Sequence, residues 1–276
     1  MTTSVPLSER QQHEAAVYDA RALALADQLE DADLGIDAEL PPYPNRAHID
    51  FMDALLQRAG DLRGKRVLEV GCGTGALSTF LALRGAEVVG LDVSEPTLAL
   101  ARRRAESNGV AGQIRFEAMP IERCEEPDES FDVVVANQVL HHLELGQAMP
   151  NIARLIGGRG VALFVEPVLL VPEWLRQLRY HRRVLRVLPA KTDTPDERSL
   201  DRHDLELITS AFASAQLTPF QLMTRLQNFV EMPDRVFEVL QRIDRTVLHR
   251  VPRTTSLARY LLIELRGRST SMGGPR

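Results

Sequence analysis

The chain has 276 residues, and its composition of 44% hydrophobic and 26% charged residues is close to the average for globular proteins. This composition excludes collagen-like, low-complexity and fully disordered chains. The formal net charge of −5 provides no basic field, so we expect no nucleic-acid partner.

Cysteine content and hydropathy indicate the compartment. Only Cys72 and Cys124 are present, which favours a reducing compartment over a disulfide scaffold. The first residues, MTTSVPLSERQQHE, lack the apolar core of a signal peptide, and no apolar stretch approaches the ~18 residues of a membrane span. We therefore expect a cytoplasmic protein. All but two of the 33 basic residues are arginine, a bias that we interpret as that of a GC-rich bacterial genome.

The first part of the chain is polar. Residues 1–45 carry a helical pattern that breaks at Pro41-Pro42-Tyr43-Pro44, because prolines fix an extended backbone and remove hydrogen-bond donors. We interpret residues 1–45 as an N-terminal helical cap. Apolar residues then recur at helical spacing between residues 48 and 58.

From Arg66 onward, short apolar strands alternate with helices. Strands are predicted at RVLEV (66–70), EVVGLD (87–92), QIRFEAM (113–119), FDVVVAN (131–137) and GVALFVE (160–166), with helices over 76–84, 95–107 and 144–156. Such alternation predicts an α/β fold in which crossover helices join parallel strands. Two more strands, at 217–224 and 258–266, would complete a Rossmann-like, doubly wound seven-stranded sheet with an antiparallel last strand.

Two helical insertions interrupt this alternation. The first, residues 168–200, contains a basic amphipathic helix at 172–189 with Trp174 and Leu178 near its apolar face. Residues 201–268 continue the core with a helix at 201–214 and a second helical insertion at about 225–255. The tail, residues 269–276, contains Gly-Gly-Pro and is expected to be disordered.

The strongest motif is VLEVGCGTGA at residues 67–76. A predicted strand leads into Gly71, Gly73 and Gly75, and a helix follows. Glycines allow a sharp turn and a close approach of the backbone to a ligand, and helix N-terminal amides can meet a polar group. The spacing also fits a dinucleotide fingerprint, so the loop alone does not identify its ligand.

A carboxylate ends the second predicted strand, because Asp92 lies 21 residues after Gly71. At that place it can accept hydrogen bonds from both ribose hydroxyls of a nucleoside. The simpler interpretation is a helix N-terminus in DVSEP, where Ser94 suits the capping position. Both interpretations can hold, since Asp92 precedes the cap.

Four segments carry, in order, the motifs of one enzyme family. VLEVGCGTG contains an acidic residue before its first glycine, and GLDVSEPTLALARRRAE, PDESFDVVVANQVLHHL and GGRGVALFVEP follow at normal spacings. Together they resemble the class I S-adenosylmethionine-dependent methyltransferases, in particular the branch that acts on small molecules. The resemblance covers about residues 45–167 and implies that 46–167 form a core that binds S-adenosylmethionine.

The resemblance assigns residues to the methionine and ribose parts of the cofactor. Glu69 and the loop at 71–75 would hold the methionine part, and Asn137 would line the same end. Asp92 would bind the ribose diol. Cys72, inside the loop, would contact the cofactor as a small packing residue rather than act as a nucleophile.

The resemblance also assigns residues to the adenine. Val93 would pack on one side of the ring, and Met119, Pro120 and Ile121 would cover the other. Family members often have an aspartate where Pro120 stands, which receives the adenine amino group. Proline cannot do this, so adenine recognition must rely on Ile121, backbone groups or water.

Two histidines follow the fourth predicted strand, where open α/β sheets bind ligands. An imidazole can accept a proton from a hydroxyl or an amine near neutral pH. His142, followed by Leu143, and Tyr18 resemble the histidine–tyrosine pair of phosphoethanolamine methyltransferases. The resemblance makes His142, His141 and Tyr18 candidate catalytic residues, and the alternative is that they only line or close the pocket.

The predicted insertions bear on the acceptor. Helices that roof the pocket with apolar side chains would suit a small, mostly apolar organic acceptor, such as a specialised metabolite. The alternatives for 172–189 are an ordinary core helix with a solvated arginine face, or a helix on a membrane surface. O-methylation is favoured, and methylation of carbon or nitrogen stays open.

Other classes of protein are weaker alternatives. The chain could bind S-adenosylmethionine without catalysis as a partner protein, or it could be a nicotinamide-dependent enzyme. No His, Cys or Asp cluster has the spacing of metal ligands, so no metal is expected. A homodimer is compatible with the sequence.

Overall fold

The computed structural model describes residues 9–26, 31–40, 42, 46–170, 198–228 and 232–269. The predicted basic helix at 172–189, with Trp174 and Leu178, lies outside the described residues. The predicted tail lies outside them as well, apart from Ser269, whose amide donates a hydrogen bond to the Ala211 carbonyl. Within the described part of the chain, no helix is both long enough and apolar enough to cross a membrane.

Seven strands form one sheet. The strands are β1 Arg66–Val70, β2 Glu87–Asp92, β3 Ile114–Ala118, β4 Val133–Asn137, β5 Val161–Pro167, β6 Phe212–Phe220 and β7 Tyr260–Arg268. Their order in the sheet is β3-β2-β1-β4-β5-β7-β6. The first five strands pair in parallel, and β7 runs antiparallel to both of its neighbours. The predicted doubly wound, seven-stranded sheet with an antiparallel strand is confirmed.

Helices cover both faces of this sheet, which explains why its central strands are apolar on both sides. Leu68 of β1 joins one core cluster and Val67 the other, as expected for side chains that alternate across a strand. Within the described residues, the α-helices are α1 Glu9–Ala26, α2 Arg46–Ala59, α3 Ala76–Leu83, α4 Glu95–Ser107, α5 Leu145–Ile156, α6 Arg202–Ser210 and α7 Asp234–Arg250.

The boundary between α6 and β6 differs from the prediction. The helix predicted at 201–214 ends at Ser210, and the strand predicted at 217–224 already begins at Phe212. The reason is long-range pairing, since β6 is hydrogen-bonded along β7 from Phe212 to Phe220. Alanine and serine in ASAQ have no strong preference for a strand, so the neighbouring strand decides their conformation.

The order of the strands indicates where on the sheet a ligand would bind. The chain leaves β1 toward β2 on one side, whereas β4 lies on the other side of β1. Open α/β sheets bind ligands at such a switch point, beyond the carboxyl ends of the strands. The loops that follow β1, β2 and β4 therefore lie side by side at this edge.

Candidate functional site

A pocket of about 250 Å³ lies at this edge of the sheet. It is lined by ten of the fourteen residues predicted for the site, namely Tyr18, Gly71, Gly73, Asp92, Val93, Met119, Pro120, Ile121, Asn137 and His142. Six lining residues were not predicted, namely Gln11, Val70, Leu91, Gln138, Val139 and Leu143. The other four predicted residues, Glu69, Cys72, Gly75 and His141, are buried and are not among the described residues that line the pocket.

The glycine loop owes its shape to left-handed backbone. Gly71, Gly73 and Gly75 have φ angles of 66°, 52° and 74°, which side chains rarely tolerate. A Cβ on Gly71 would come within 2.5 Å of the Val139 side chain. A Cβ on Gly73 would meet no atom of the described residues within 4 Å, because this residue faces the pocket. The loop therefore presents open backbone to a ligand at Gly73.

Asp92 joins the end of β2 to the glycine loop. Its Oδ2 accepts a hydrogen bond from the Gly73 amide at 2.9 Å, and its Oδ1 accepts one from the Ser94 amide at 3.0 Å. Burial raises the pKa of Asp92, and the nearby Asp19 carboxylate adds to the rise. Ser94 caps α4 by accepting from the Thr97 amide at 3.2 Å, so the capping interpretation is confirmed, and the role of Asp92 toward a ribose stays a prediction.

Glu69 lies behind the pocket wall and is fully buried. The Ser78 hydroxyl donates a hydrogen bond to its Oε2. Burial raises the pKa of Glu69 to about 8, and the Asp92 carboxylate contributes, while the bond from Ser78 acts in the opposite direction. Cys72 is buried beside it, and burial holds the pKa of this thiol well above its usual value. Cys72 is therefore a packing residue, unsuited to act as a nucleophile.

We expect the raised pKa of Glu69 to make the free energy of unfolding depend on pH. Between about pH 5 and pH 8 the unfolded chain releases this proton and the folded chain keeps it, so stability falls as pH rises. Glu69→Gln removes this contribution. The free energy of unfolding of the variant, relative to that of the wild type, should rise by up to about 3 kcal/mol as the pH increases from about 5.5 to about 7.5. The size follows because one pKa unit corresponds to about 1.4 kcal/mol.

Urea denaturation of both proteins at the two pH values measures this difference. The exposed Glu87, at the start of β2, provides the matched control as Glu87→Gln. Parallel pH dependences for the wild type and Glu69→Gln would show that Glu69 is already ionised in the folded protein.

The segment after β4 forms a second wall of the pocket. Asn137 lines it, and its Oδ1 is buried without a hydrogen-bond partner among the described residues. Gln138 follows with φ of 58°, and its amide donates to the Val165 carbonyl at 2.8 Å. A buried polar atom without a partner requires an explanation, and a bound ligand is one.

Glu166, near the end of β5, holds this segment and was not predicted from the sequence as a site residue. It is fully buried, and its Oε1 accepts hydrogen bonds from the amides of Val139 at 2.6 Å and Leu140 at 2.7 Å. Its Oε2 lies 2.8 Å from His141 Nδ1. The available signal was an acidic residue at the end of an otherwise apolar predicted strand, FVEP.

Only one ring of the histidine pair, His142, belongs to the described pocket lining. His141 is turned toward Glu166, and the centroids of the two imidazole rings lie 4.1 Å apart. Tyr18 of α1 meets His142 edge-on, with ring centroids 6.4 Å apart. The structure thus brings His142 and Tyr18 together, and it places His141 behind His142.

Helix α1 closes one side of the pocket near Pro120. Gln11 lines the pocket, and its Nε2 donates to Glu122 Oε2 at 3.4 Å. Farther along the helix, Asp19 Oδ1 accepts a hydrogen bond from the Ser94 hydroxyl at 2.6 Å. Gln11 therefore places a polar side chain beside the segment in which Pro120 replaces the expected aspartate.

These residues fit S-adenosylmethionine. The pocket combines open backbone at Gly73, a strand-end carboxylate at Asp92 and an orphaned buried oxygen on Asn137. Those groups can meet polar atoms of a nucleoside and an amino acid, and the apolar side chains between them can pack on a ring. Within the described part of the chain, no three His, Cys, Asp or Glu residues gather as metal ligands would.

Comparisons with known proteins identify a methyltransferase domain in this chain. Residues 67–160 match the family described as "Methyltransferase domain". The chain is 36% identical over 150 residues to a ubiquinone biosynthesis O-methyltransferase of Hahella chejuensis. That match covers 54% of this chain and 60% of the relative, so the chain spans about three fifths of the relative's length.

Solved structures support the fold. The [4+2]-cyclase SpnF has a TM-score of 0.56 at 18% identity, covering 97% of this chain and 100% of that chain. A geranyl diphosphate C-methyltransferase from Streptomyces coelicolor A3(2) has a TM-score of 0.55 at 12% identity, covering 95% and 98%. At these identities the likeness extends to the fold alone. Residues 67–160 therefore contain a methyltransferase domain, and the predicted resemblance to the class I S-adenosylmethionine-dependent methyltransferases is confirmed.

Proposed function

We propose that the protein transfers a methyl group from S-adenosylmethionine to a small, mostly apolar organic acceptor, with oxygen as the favoured acceptor atom. One observation carries the proposal: the pocket joins a glycine loop and a strand-end carboxylate to His142. The similarity to proteins named O-methyltransferases supports oxygen as the acceptor atom. The reaction would take place in the cytoplasm of a bacterium, and a homodimer is compatible with it.

The proposed cofactor contacts follow the pocket wall. Asp92 would bind the ribose diol, open backbone at Gly73 would approach the methionine part, and Asn137 Oδ1 would accept a hydrogen bond at the same end. The sulfonium of S-adenosylmethionine supplies an activated methyl group when the cofactor is bound. The adenine would be covered by the side chains of Val93, Met119, Pro120 and Ile121.

The chain itself would provide alignment, a dry pocket and a base. A ring nitrogen of His142 would take the proton from an acceptor hydroxyl as the oxygen forms its new bond. Val139 and Leu143 line the same wall and would keep water away from the reacting atoms. Tyr18, edge-on to His142, would hold that ring in place from the side of α1. Alignment of the two reactants would account for much of the rate.

Two settings suit such an acceptor. The relatives' names point to an intermediate of ubiquinone biosynthesis, whereas the apolar helices predicted from the sequence favour a specialised metabolite. Both would offer a hydroxyl on a mostly apolar body. Transfer to carbon or nitrogen is the alternative within the same class of enzyme.

A mass-labelling experiment tests the proposal. The purified protein is incubated with S-adenosylmethionine that carries a deuterated methyl group, together with either ubiquinone precursors or bacterial metabolite extracts. We expect release of S-adenosylhomocysteine and a labelled product whose fragmentation identifies the acceptor atom. Binding of S-adenosylhomocysteine without turnover on any acceptor would contradict the proposal and favour a non-catalytic binding protein.

Asp92→Ala tests the cofactor side of the pocket. The variant should bind S-adenosylhomocysteine more weakly by ~1–3 kcal/mol, because the ribose hydroxyls lose a charged acceptor. Isothermal calorimetry measures this affinity, and the melting temperature reports the loss of the bonds to the Gly73 and Ser94 amides. The exposed Asp61, paired with Arg63, serves as the control in Asp61→Ala. Affinity of Asp92→Ala within about twofold of the wild type would refute the assignment.

A further inference from the structure

We propose that Glu166 is a positioning residue that fixes the segment at 137–142 and thereby holds His142 in the pocket. The role of His142 in this inference rests on the proposed function. The fixation of the segment does not, because it concerns contacts between β5 and the residues after β4.

Three consecutive residues after β4 form hydrogen bonds with this carboxylate. Its Oε1 receives the amides of Val139 and Leu140, and its Oε2 meets His141 Nδ1. Hydrogen bonds to an ionised carboxylate are stronger than those between neutral groups. A buried carboxylate is also unfavourable without partners, so Glu166 and its three partners stabilise one another.

The segment needs an external support because its own backbone is strained. Gln138 has φ of 58°, a left-handed conformation that is uncommon for a residue with a side chain. Its amide donates to the Val165 carbonyl, so three successive amides of this segment are all held by residues 165 and 166. The end of β5 therefore fixes the backbone conformation of the turn that follows β4.

The contacts continue from Glu166 to His142. The His142 amide donates to the Val139 carbonyl at 2.9 Å, so its backbone is bound to a residue that Glu166 holds. The His141 ring, at 2.8 Å from Glu166, also forms the surface against which the His142 ring lies. Glu166 is not among the described residues that line the pocket. Its influence on a bound acceptor would therefore pass through His141, Val139 and His142.

The same segment touches the cofactor side. The Val139 side chain occupies the space next to Gly71, so closely that a Cβ on Gly71 would lie 2.5 Å from it. A displaced segment would move Val139 relative to the glycine loop. The fit between the two walls of the pocket thus depends on Glu166.

Two substitutions separate the parts of this role. Glu166→Gln keeps an oxygen for the two backbone amides but places an NH₂ group opposite His141 Nδ1, and it removes the charge. His141→Asn keeps a donor near Glu166 but removes the ring that supports His142. In the double variant the two side-chain amides can pair again. Glu264→Gln is the matched control, because Glu264 is also buried and lies across from Leu163 of β5, with Arg58 and Arg266 as its partners.

Hydrogen exchange followed by mass spectrometry measures how strongly the backbone amides of the segment are protected, and it does not depend on catalysis. In Glu166→Gln, a peptide covering residues 137–144 should exchange at least fivefold faster than in the wild type, and Glu264→Gln should leave it unchanged. Glu166→Ala should show a larger increase in the exchange rate. If the alanine variant does not fold, the test rests on Glu166→Gln alone. Equal exchange in Glu166→Gln, Glu264→Gln and the wild type would overturn the inference.

Kinetics then test the effect on His142. Glu166→Gln should lower kcat at least tenfold and leave the acceptor KM within about threefold of the wild type. The affinity for S-adenosylhomocysteine should fall by a clearly smaller factor than kcat, because Val139 moves relative to the glycine loop. Glu166→Gln with His141→Asn should lose less than the product of the two single losses. An unchanged kcat, or a loss of cofactor affinity as large as the loss of kcat, would overturn the positioning role. If the peptide exchanges faster in Glu166→Gln but the wild-type protein methylates no acceptor, the fixation of the segment by Glu166 is retained and the proposed function is refuted.

Discussion

His142→Ala lowers the turnover number by ~10²–10⁴-fold if its imidazole is the general base, which is the usual contribution of such a group. The affinity for S-adenosylhomocysteine should stay within about twofold, because none of the proposed cofactor contacts is made by the His142 side chain. His142 is the ring of the histidine pair that lines the described pocket. Initial rates at saturating cofactor, together with calorimetry, measure the two quantities.

His203→Ala, at an exposed position of α6, is the control for removing an imidazole. Near-normal turnover of His142→Ala would reduce His142 to a residue of the pocket wall. Tyr18→Phe keeps the edge-on ring contact with His142 and removes only the hydroxyl. A fall in turnover for that variant would assign a role to the hydroxyl, and unchanged turnover would leave Tyr18 as a residue that closes the pocket.

Gly73→Val should abolish measurable binding of S-adenosylhomocysteine, with a loss of at least ~100-fold. A Cβ at this position meets no atom of the described residues within 4 Å, so the added side chain enters the pocket. The residue also has φ of 52°, which valine adopts only with strain, so the fold itself loses ~1–2 kcal/mol. Calorimetry and thermal unfolding measure the two losses separately.

Gly64→Val separates strain from obstruction. Gly64 has φ of 69° and no atom of the described residues within 4 Å of a Cβ, and it precedes β1 at the opposite edge of the sheet. Its variant should lose a similar amount of stability and bind S-adenosylhomocysteine normally. Equal affinities for the two valine variants would mean that Gly73 does not face the cofactor.

The sequence predicted the first half of the sheet closely. The strands at 66–70 and 87–92 and the helix at 95–107 have the predicted bounds, because apolar runs end there at glycine, aspartate or Asn108-Gly109. The segment from 201 to 224 was predicted less well, since its alanines and serines specify no element and β7 decides where β6 begins. The bounds of an element could be predicted where residues close to it in the sequence determine where it begins and ends.

The site was predicted in part for a related reason. A motif contains residues that touch a ligand and residues that support them, and the sequence does not distinguish Gly73 from Glu69. Glu166 was missed because its partners lie 25 to 27 positions earlier, and only the adjacent strands β4 and β5 bring them together. Gln11 was missed because a polar residue on a polar helix carries no signal of its own.

The attachment of α1 has a consequence for how such an enzyme can diverge. The proposed cofactor side of the pocket is built from backbone turns at the ends of strands, including three glycines with positive φ angles. The side contributed by α1 instead depends on side-chain contacts such as Asp19 with Ser94 and Gln11 with Glu122. Mutations around Tyr18 of that helix, which meets His142, can therefore alter the proposed acceptor side while the backbone turns at the strand ends stay constant. Acceptor preference can then drift between relatives within an unchanged catalytic framework.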